Sequence, residues 1–251
     1  MDTERARLAI SLVDLTNLTD DCDADAIDLL CDRALRAGTA AVCVWPDFVA
    51  QAARRLADSP ITVATVVNFP TGDERPFATG VLTERALADG ADEIDVVLPY
   101  RWFAGGDRSR ADAVLSIVRS TTEGRALMKV ILETGELVEP DLIAEAARFA
   151  IDHGTDFVKT STGKSKVSAT PEAARTMLDA IAAAGRTVGL KPSGGIGSAA
   201  DADAYLALAE SVMGADFLQR TTFRFGASGV LDALLDAAGE STAAGADSDG
   251  Y

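Results

Sequence analysis

The chain has 251 residues, 48% of them hydrophobic, and a formal net charge of −16. That length and apolar share suit one large α/β domain with a sizeable core, while the charge repels nucleic acid and anionic membranes, so neither is expected as a partner. No apolar run approaches the ~18 residues of a membrane-spanning helix, and Met1-Asp2-Thr3-Glu4-Arg5 lacks the basic start of a signal peptide, so a cytoplasmic location is expected.

Residues 1–10 read as a short amphipathic lead-in. Leu12 to Thr16 is strand 1, followed by an acidic loop through Asp25 and a helix from Ala26 to Ala37 that stops at Gly38. Thr39 to Val44 is strand 2, and Pro46 opens a helix to Asp58. Ile61 to Val67, rich in β-branched residues, is strand 3. A turn-rich loop from Asn68 to Pro76 leads to a helix over Thr79–Asp89, then strand 4 at Glu93–Leu98. A loop with Gly105-Gly106 and a helix to Thr121 precede strand 5 at Leu127–Leu132, and Pro140 opens the helix to His153. Phe157 to Thr160 is strand 6. Thr170-Pro171 starts a helix ending at Gly185, Val188 to Lys191 is strand 7, and Asp201 to Glu210 is helical. Phe217 to Arg220 is assigned as strand 8, with the Gly226 turn opening a last helix to Ala238. These alternations, spaced by about 20–35 residues, predict a single-domain (β/α)8 TIM barrel over 1–238 with a flexible acidic tail over 239–251, ending in Tyr251. A doubly wound open sheet is the alternative, but no GxGxxG follows the first strand.

In a barrel, functional groups sit at the C-terminal strand ends, and side chains alternate inward and outward. Asp14, Cys43, Asp95, Lys129, Lys159 and Lys191 each occupy such a position between apolar neighbours. Taking them as inward places Val13, Leu15, Ile94, Val96, Val158 and Leu190 against the helix layer. Lysine is otherwise almost absent: beyond these positions and Lys164 and Lys166, every basic residue is arginine. A lysine can give up its proton and a guanidinium cannot, so the strand-end lysines point to amine chemistry. An amine beside a second cation becomes nucleophilic at neutral pH and attacks carbonyls. From the residues alone, either Lys159 or Lys191 could be that amine, with Asp95 moving protons and Asp14–Lys129 a supporting pair. The loops of Gly163-Lys164, Gly194-Gly195 and Gly226-Ala227-Ser228 after strands 6, 7 and 8 offer backbone amides to a phosphate. Together these features suggest a phosphorylated carbonyl substrate and an imine mechanism.

The three cysteines, Cys22, Cys31 and Cys43, form no CxxC pair, and His153 is the sole histidine. Neither a disulfide framework nor a metal site is expected, and no cofactor is implied. His153 reads as a cation at a helix C-terminus.

The motifs resemble those of the class I, Schiff-base-forming deoxyribose-phosphate aldolase family. They are Asp14-Leu15-Thr16, Asn68-Phe69-Pro70, Asp92-Glu93-Ile94-Asp95, Lys129-Val130-Ile131 with Glu133-Thr134-Gly135, Lys159-Thr160-Ser161-Thr162-Gly163, Lys191-Pro192-Ser193-Gly194-Gly195 and Arg224-Phe225-Gly226-Ala227-Ser228. The resemblance covers nearly the whole chain and implies reversible cleavage of 2-deoxy-D-ribose 5-phosphate to acetaldehyde and D-glyceraldehyde 3-phosphate without metal, in deoxyribonucleotide catabolism. It makes Lys159 the Schiff-base lysine and Asp95 with Lys191 its proton relay. Asp14, Lys129 and Tyr251 would support them, and Thr16, Cys43, Thr160, Gly163, Lys164, Gly194, Gly195, Gly226 and Ser228 would bind substrate. Two positions depart from the family pattern: Gly197 stands where an arginine is common and Gly229 where a serine is. A homo-oligomer is expected by analogy.

Two rival readings remain at this level. One is another imine-forming sugar-phosphate aldolase or transaldolase, which a screen of donor aldehydes and ketones separates. The other is a sugar-phosphate-binding barrel without catalysis, which predicts binding and no covalent adduct.

Overall fold

The computed structural model describes residues 1–240. Eight parallel strands form one sheet: β1 (Val13–Asn17), β2 (Ala41–Val44), β3 (Thr62–Val67), β4 (Glu93–Val97), β5 (Leu127–Ile131), β6 (Phe157–Lys159), β7 (Gly189–Lys191) and β8 (Phe225–Ala227). Their order is β7-β6-β5-β4-β3-β2-β1-β8. The seam between β7 and β8 closes through parallel bridges at Leu190–Phe223 and Ser193–Gly226, so the sheet is a barrel. Helices alternate with the strands and form the outer layer, as the sequence pattern predicts.

The inward–outward alternation holds. Val13, Leu15, Ile94, Val96, Val158 and Leu190 all lie in the main hydrophobic core between strands and helices. Their neighbours Asp14, Asp95, Lys129, Lys159 and Lys191 are buried on the other strand face, inside the barrel.

Helix termini follow local chemistry. Pro76, Pro140 and Pro171 each open a helix, and Gly38 ends the Ala24–Ala37 helix in a left-handed conformation with φ 70°. His153 caps the Pro140–Asp152 helix, with Nδ1 2.8 Å from the Phe149 carbonyl and Nε2 3.0 Å from Asp112.

Two assignments need correction. Phe217 to Arg220 is not strand 8: Ala215–Phe217 is a 3-10 turn after Gly214 at φ 86°, and Arg220 donates to the Ser11 and Gly38 carbonyls. The strand is instead Phe225–Ala227, pairing with Val13–Leu15, and the last helix starts at Val230 rather than at Gly226. A three-residue strand with a central glycine has little β propensity. Gly226 is required by packing, since a Cβ there would stand 2.5 Å from Ser193 Oγ and 3.1 Å from Lys191 Cε. The second correction is that two loops carry short helices, Tyr100–Ala104 after β4 and Thr134–Leu137 after β5.

Candidate active site

Strand register brings the charged residues together. Asp95 lies opposite Lys129 across β4 and β5, and Lys159 opposite Lys191 across β6 and β7. Asp14 lies opposite Gly226 across β1 and β8. Arg224, just before β8, and Glu93, two residues before Asp95 on the same strand face, complete the group.

Six of these side chains form a closed ring of alternating charge. Arg224 donates to Asp14 Oδ1 at 2.6 Å and to Glu93 Oε1 at 2.9 Å. Lys129 pairs with Glu93 and donates to Asp95 Oδ1 at 2.8 Å. Lys191 donates to Asp95 Oδ2 at 2.8 Å and lies 2.5 Å from Asp14 Oδ2, which returns to the start. Lys159 stands outside the ring, donating to Asp95 Oδ2 at 2.8 Å.

The expected Asp14–Lys129 pair is therefore a minor contact of 3.7 Å across the ring. The nearest partners of Asp14 are Lys191 and Arg224, and those of Lys129 are Glu93 and Asp95. The reason is register: Asp14 neighbours β8 through Gly226, which leaves room for Lys191 to reach it.

Burial and charge set the protonation pattern. Burial disfavours ionised Asp95, yet Lys129, Lys159 and Lys191 together hold it well below the usual carboxylate range. The same contest holds Asp14 low, with Lys191 and Arg224 outweighing burial. Burial also opposes the Lys191 ammonium, but Asp14 and Asp95 raise it well above an ordinary lysine. Lys159 goes the other way: burial first, then the Lys191 ammonium, lower it against the pull of Asp95.

Above Lys159 opens a cavity of about 290 Å³ at the C-terminal mouth of the barrel. Of the expected binding residues, Thr16, Gly163, Lys164, Gly194, Gly195, Gly226 and Ser228 line it. Gly229 caps the N-terminus of the Val230–Ala238 helix and also lines it, so that helix start faces the same space. Lys164 lies 3.8 Å from Asp20 and stands over the Trp45 ring at 6.0 Å. Thr160 and Cys43 are not on the wall. The Thr160 hydroxyl accepts from the Ser193 amide at 2.9 Å and so ties the two loops together. Cys43 is buried with Leu18, Ala64 and Val66, and burial pushes its thiol up. Tyr251 lies outside the described residues.

Sequence reasoning gave no site role to Glu93, Arg224 and Glu133, although all three stand in the motifs. Glu93 was readable, because it sits two residues before Asp95 and so on the same face. Arg224 was hidden by the misplaced strand 8. Glu133 gave no periodic signal: it is buried at φ 59° in a loop and accepts from the Thr162 hydroxyl at 2.5 Å and the Ser165 hydroxyl at 3.0 Å. It thereby holds the loop that carries Gly163 and Lys164.

A (β/α)8 barrel in which Lys159 shares a buried carboxylate with two other amines beneath an open mouth fits an aldolase of the imine-forming class. A family model for DeoC/LacD family aldolases matches residues 8–235. The chain is 51% identical over 236 residues to the deoxyribose-phosphate aldolase of Agrobacterium fabrum strain C58, covering 93% of this chain and 91% of that one. The apo form of a protein from Toxoplasma gondii ME49 assigned as a deoxyribose-phosphate aldolase superposes with TM-score 0.85 at 28% identity, covering 94% and 97% of the two chains. A counterpart from Coccidioides immitis gives 0.81 at 28% identity, covering 90% and 85%. The chain belongs to the DeoC/LacD aldolase family.

Proposed function

We propose that the protein cleaves 2-deoxy-D-ribose 5-phosphate reversibly to D-glyceraldehyde 3-phosphate and acetaldehyde, with Lys159 as the Schiff-base amine. The observation that carries this reading is the single Asp95 oxygen shared by Lys159 and Lys191 beneath the glycine-lined cavity. The likeness to the Agrobacterium enzyme supports the substrate.

The unprotonated Lys159 amine adds to C1 of the open-chain aldehyde, and loss of water gives the imine. The C3 hydroxyl gives up its proton, the C2–C3 bond breaks, and its electron pair becomes the C1–C2 double bond of the enamine as the protonated imine nitrogen takes up the C=N pair. D-Glyceraldehyde 3-phosphate leaves. Protonation at C2 and addition of water return acetaldehyde and the free amine. Asp95 and Lys191 carry these protons, directly or through a water, because both lie within hydrogen-bond reach of the Lys159 nitrogen or its partner. Gly163, Lys164, Gly194, Gly195 and Ser228 receive the phosphate at the outer end of the cavity.

The reading is tested by following glyceraldehyde 3-phosphate release from 2-deoxy-D-ribose 5-phosphate with the purified chain. Steady turnover that disappears in Lys159→Leu supports it. No turnover, with sugar-phosphate binding intact, contradicts it.

A further inference from the structure

We propose that Arg224, clamped between Asp14 and Glu93 below the reacting amine, closes the buried ring of charges and thereby leaves Lys159 as the one buried amine, among the described residues, without a counter-charge of its own. Arg224 is a positioning residue: it touches Asp14 and Glu93 and acts on Lys159 through the ring. The proposal rests on Lys159 being the imine-forming amine.

The argument is one of charge counting in a closed space. Asp14, Glu93 and Asp95 are the three carboxylates, and Lys129, Lys191 and Arg224 are the three cations between them. Each carboxylate lies between two ring cations, and each ring cation between two carboxylates. All six are buried, Arg224 the most exposed at 4%. Such a ring is neutral and complete. Among the described residues the cluster holds no fourth carboxylate, so a protonated Lys159 adds a fourth cation without a partner, and uncompensated buried charge is strongly disfavoured.

Among the described residues, the charged or titratable groups around Lys159 come from every side of the barrel. Asp95 and Glu93 come from β4, Lys129 from β5, Lys191 from β7, Asp14 from β1, Cys43 from β2 and Arg224 from the approach to β8. Cys43 adds no charge, because burial pushes its thiol up. Above, Glu133 is engaged by Thr162 and Ser165, and Lys164 faces Asp20. Arginine suits the closing position because it alone cannot relieve the ring by losing a proton, and its fork reaches two carboxylates at once.

The test compares the acidic limb of the kcat/KM–pH profile across four variants, since that limb reports the free enzyme's essential base. In parallel, the pH dependence of Lys159 carbamylation by cyanate, read by peptide mass mapping, reports the same amine without turnover. Arg224→Gln leaves three carboxylates facing two ring cations. Lys159 then becomes the third cation, and both profiles move to higher pH by ~1–3 units. Arg224→Lys keeps the cation and stays near the wild-type profile. Glu93→Gln leaves an excess of cations, so its profiles move to lower pH. The double variant Glu93→Gln with Arg224→Gln rebalances the ring at two carboxylates and two cations, and its profiles return towards wild type.

A uniform loss of activity in Arg224→Gln with both profiles unmoved would overturn the proposal and leave Arg224 a packing residue. If Arg224→Gln does not fold, Glu93→Gln and the double variant decide. A Glu93→Gln profile at lower pH that the double variant brings back towards wild type supports the proposal; unmoved profiles, or a move to higher pH in Glu93→Gln, overturn it. Because cyanate reads the amine itself, a shifted cyanate profile stands even if acetaldehyde forms no adduct on Lys159.

Discussion

Lys159 and Lys191 share one oxygen: both Nζ atoms lie 2.8 Å from Asp95 Oδ2. The other oxygen of Asp95 takes Lys129 at 2.8 Å. One carboxylate therefore serves three amines. Asp95→Asn removes the charge that lets those amines pack together in the barrel. Breaking buried pairs of this kind costs about 3–5 kcal/mol, and losing a proton-transfer group costs ~10²–10⁴-fold in rate. We expect both effects, read as a lower denaturation midpoint and a lower kcat. An Asn variant with near wild-type turnover would contradict the relay.

The two lysines differ in how firmly they are held. Lys159 has one carboxylate partner, whereas Lys191 has Asp14 and Asp95. Lys159→Leu is therefore expected to abolish turnover with little loss of stability. Lys191→Leu leaves two carboxylates short of a cation and is expected to be clearly less stable. Thermal melts of the two variants, with residual activity, check the contrast; equal destabilisation would count against it.

The phosphate-side loops make a separate demand. Gly194 has φ 80°, and a Cβ there would stand 2.6 Å from Ser168 Oγ and 3.2 Å from Gly163 Cα. Gly194→Ala must push the β6 and β7 loops apart or twist its own backbone, a strain of ~1–3 kcal/mol. We expect KM for the phosphorylated substrate to rise by about tenfold, the equivalent of ~1.4 kcal/mol, with kcat much less affected. A change in kcat alone would place that loop in the chemistry instead.

The ring also governs acid stability. Asp14 and Asp95 are held below their ordinary values in the folded state. A carboxylate depressed by folding contributes its stability above the unfolded pKa of ~3.9 and loses it as pH falls towards the folded value. Tm should therefore drop steeply below about pH 4, and less steeply in Asp95→Asn. An equal slope in the two proteins would show that other carboxylates dominate.

Much of this was readable from the chain. The alternation around Asp14, Asp95, Lys129, Lys159 and Lys191 predicted the barrel interior, because a period of two separates core from lumen in any strand. The glycine loops were readable for the same local reason. What escaped depended on distant partners. Residues 225–227 make a strand only because Val13–Leu15 lies beside them, and nothing in Phe-Gly-Ala announces that. Arg224 then passed as a loop residue although it closes the ring. Cys43 and Thr160 sit at strand ends with inward polarity, yet one packs with Leu18 and Val66 and the other is taken up by Ser193. Alternation tells which way a side chain points, and neighbouring strands decide whether it reaches the cavity.

The central claim is that Lys159 is the amine that forms the imine. The direct measurement is borohydride reduction of the protein with acetaldehyde, followed by peptide mass mapping. A reduced two-carbon adduct on the peptide carrying Lys159, absent in Lys159→Leu, is the predicted result. An adduct on Lys191, or no adduct at all, would contradict the account.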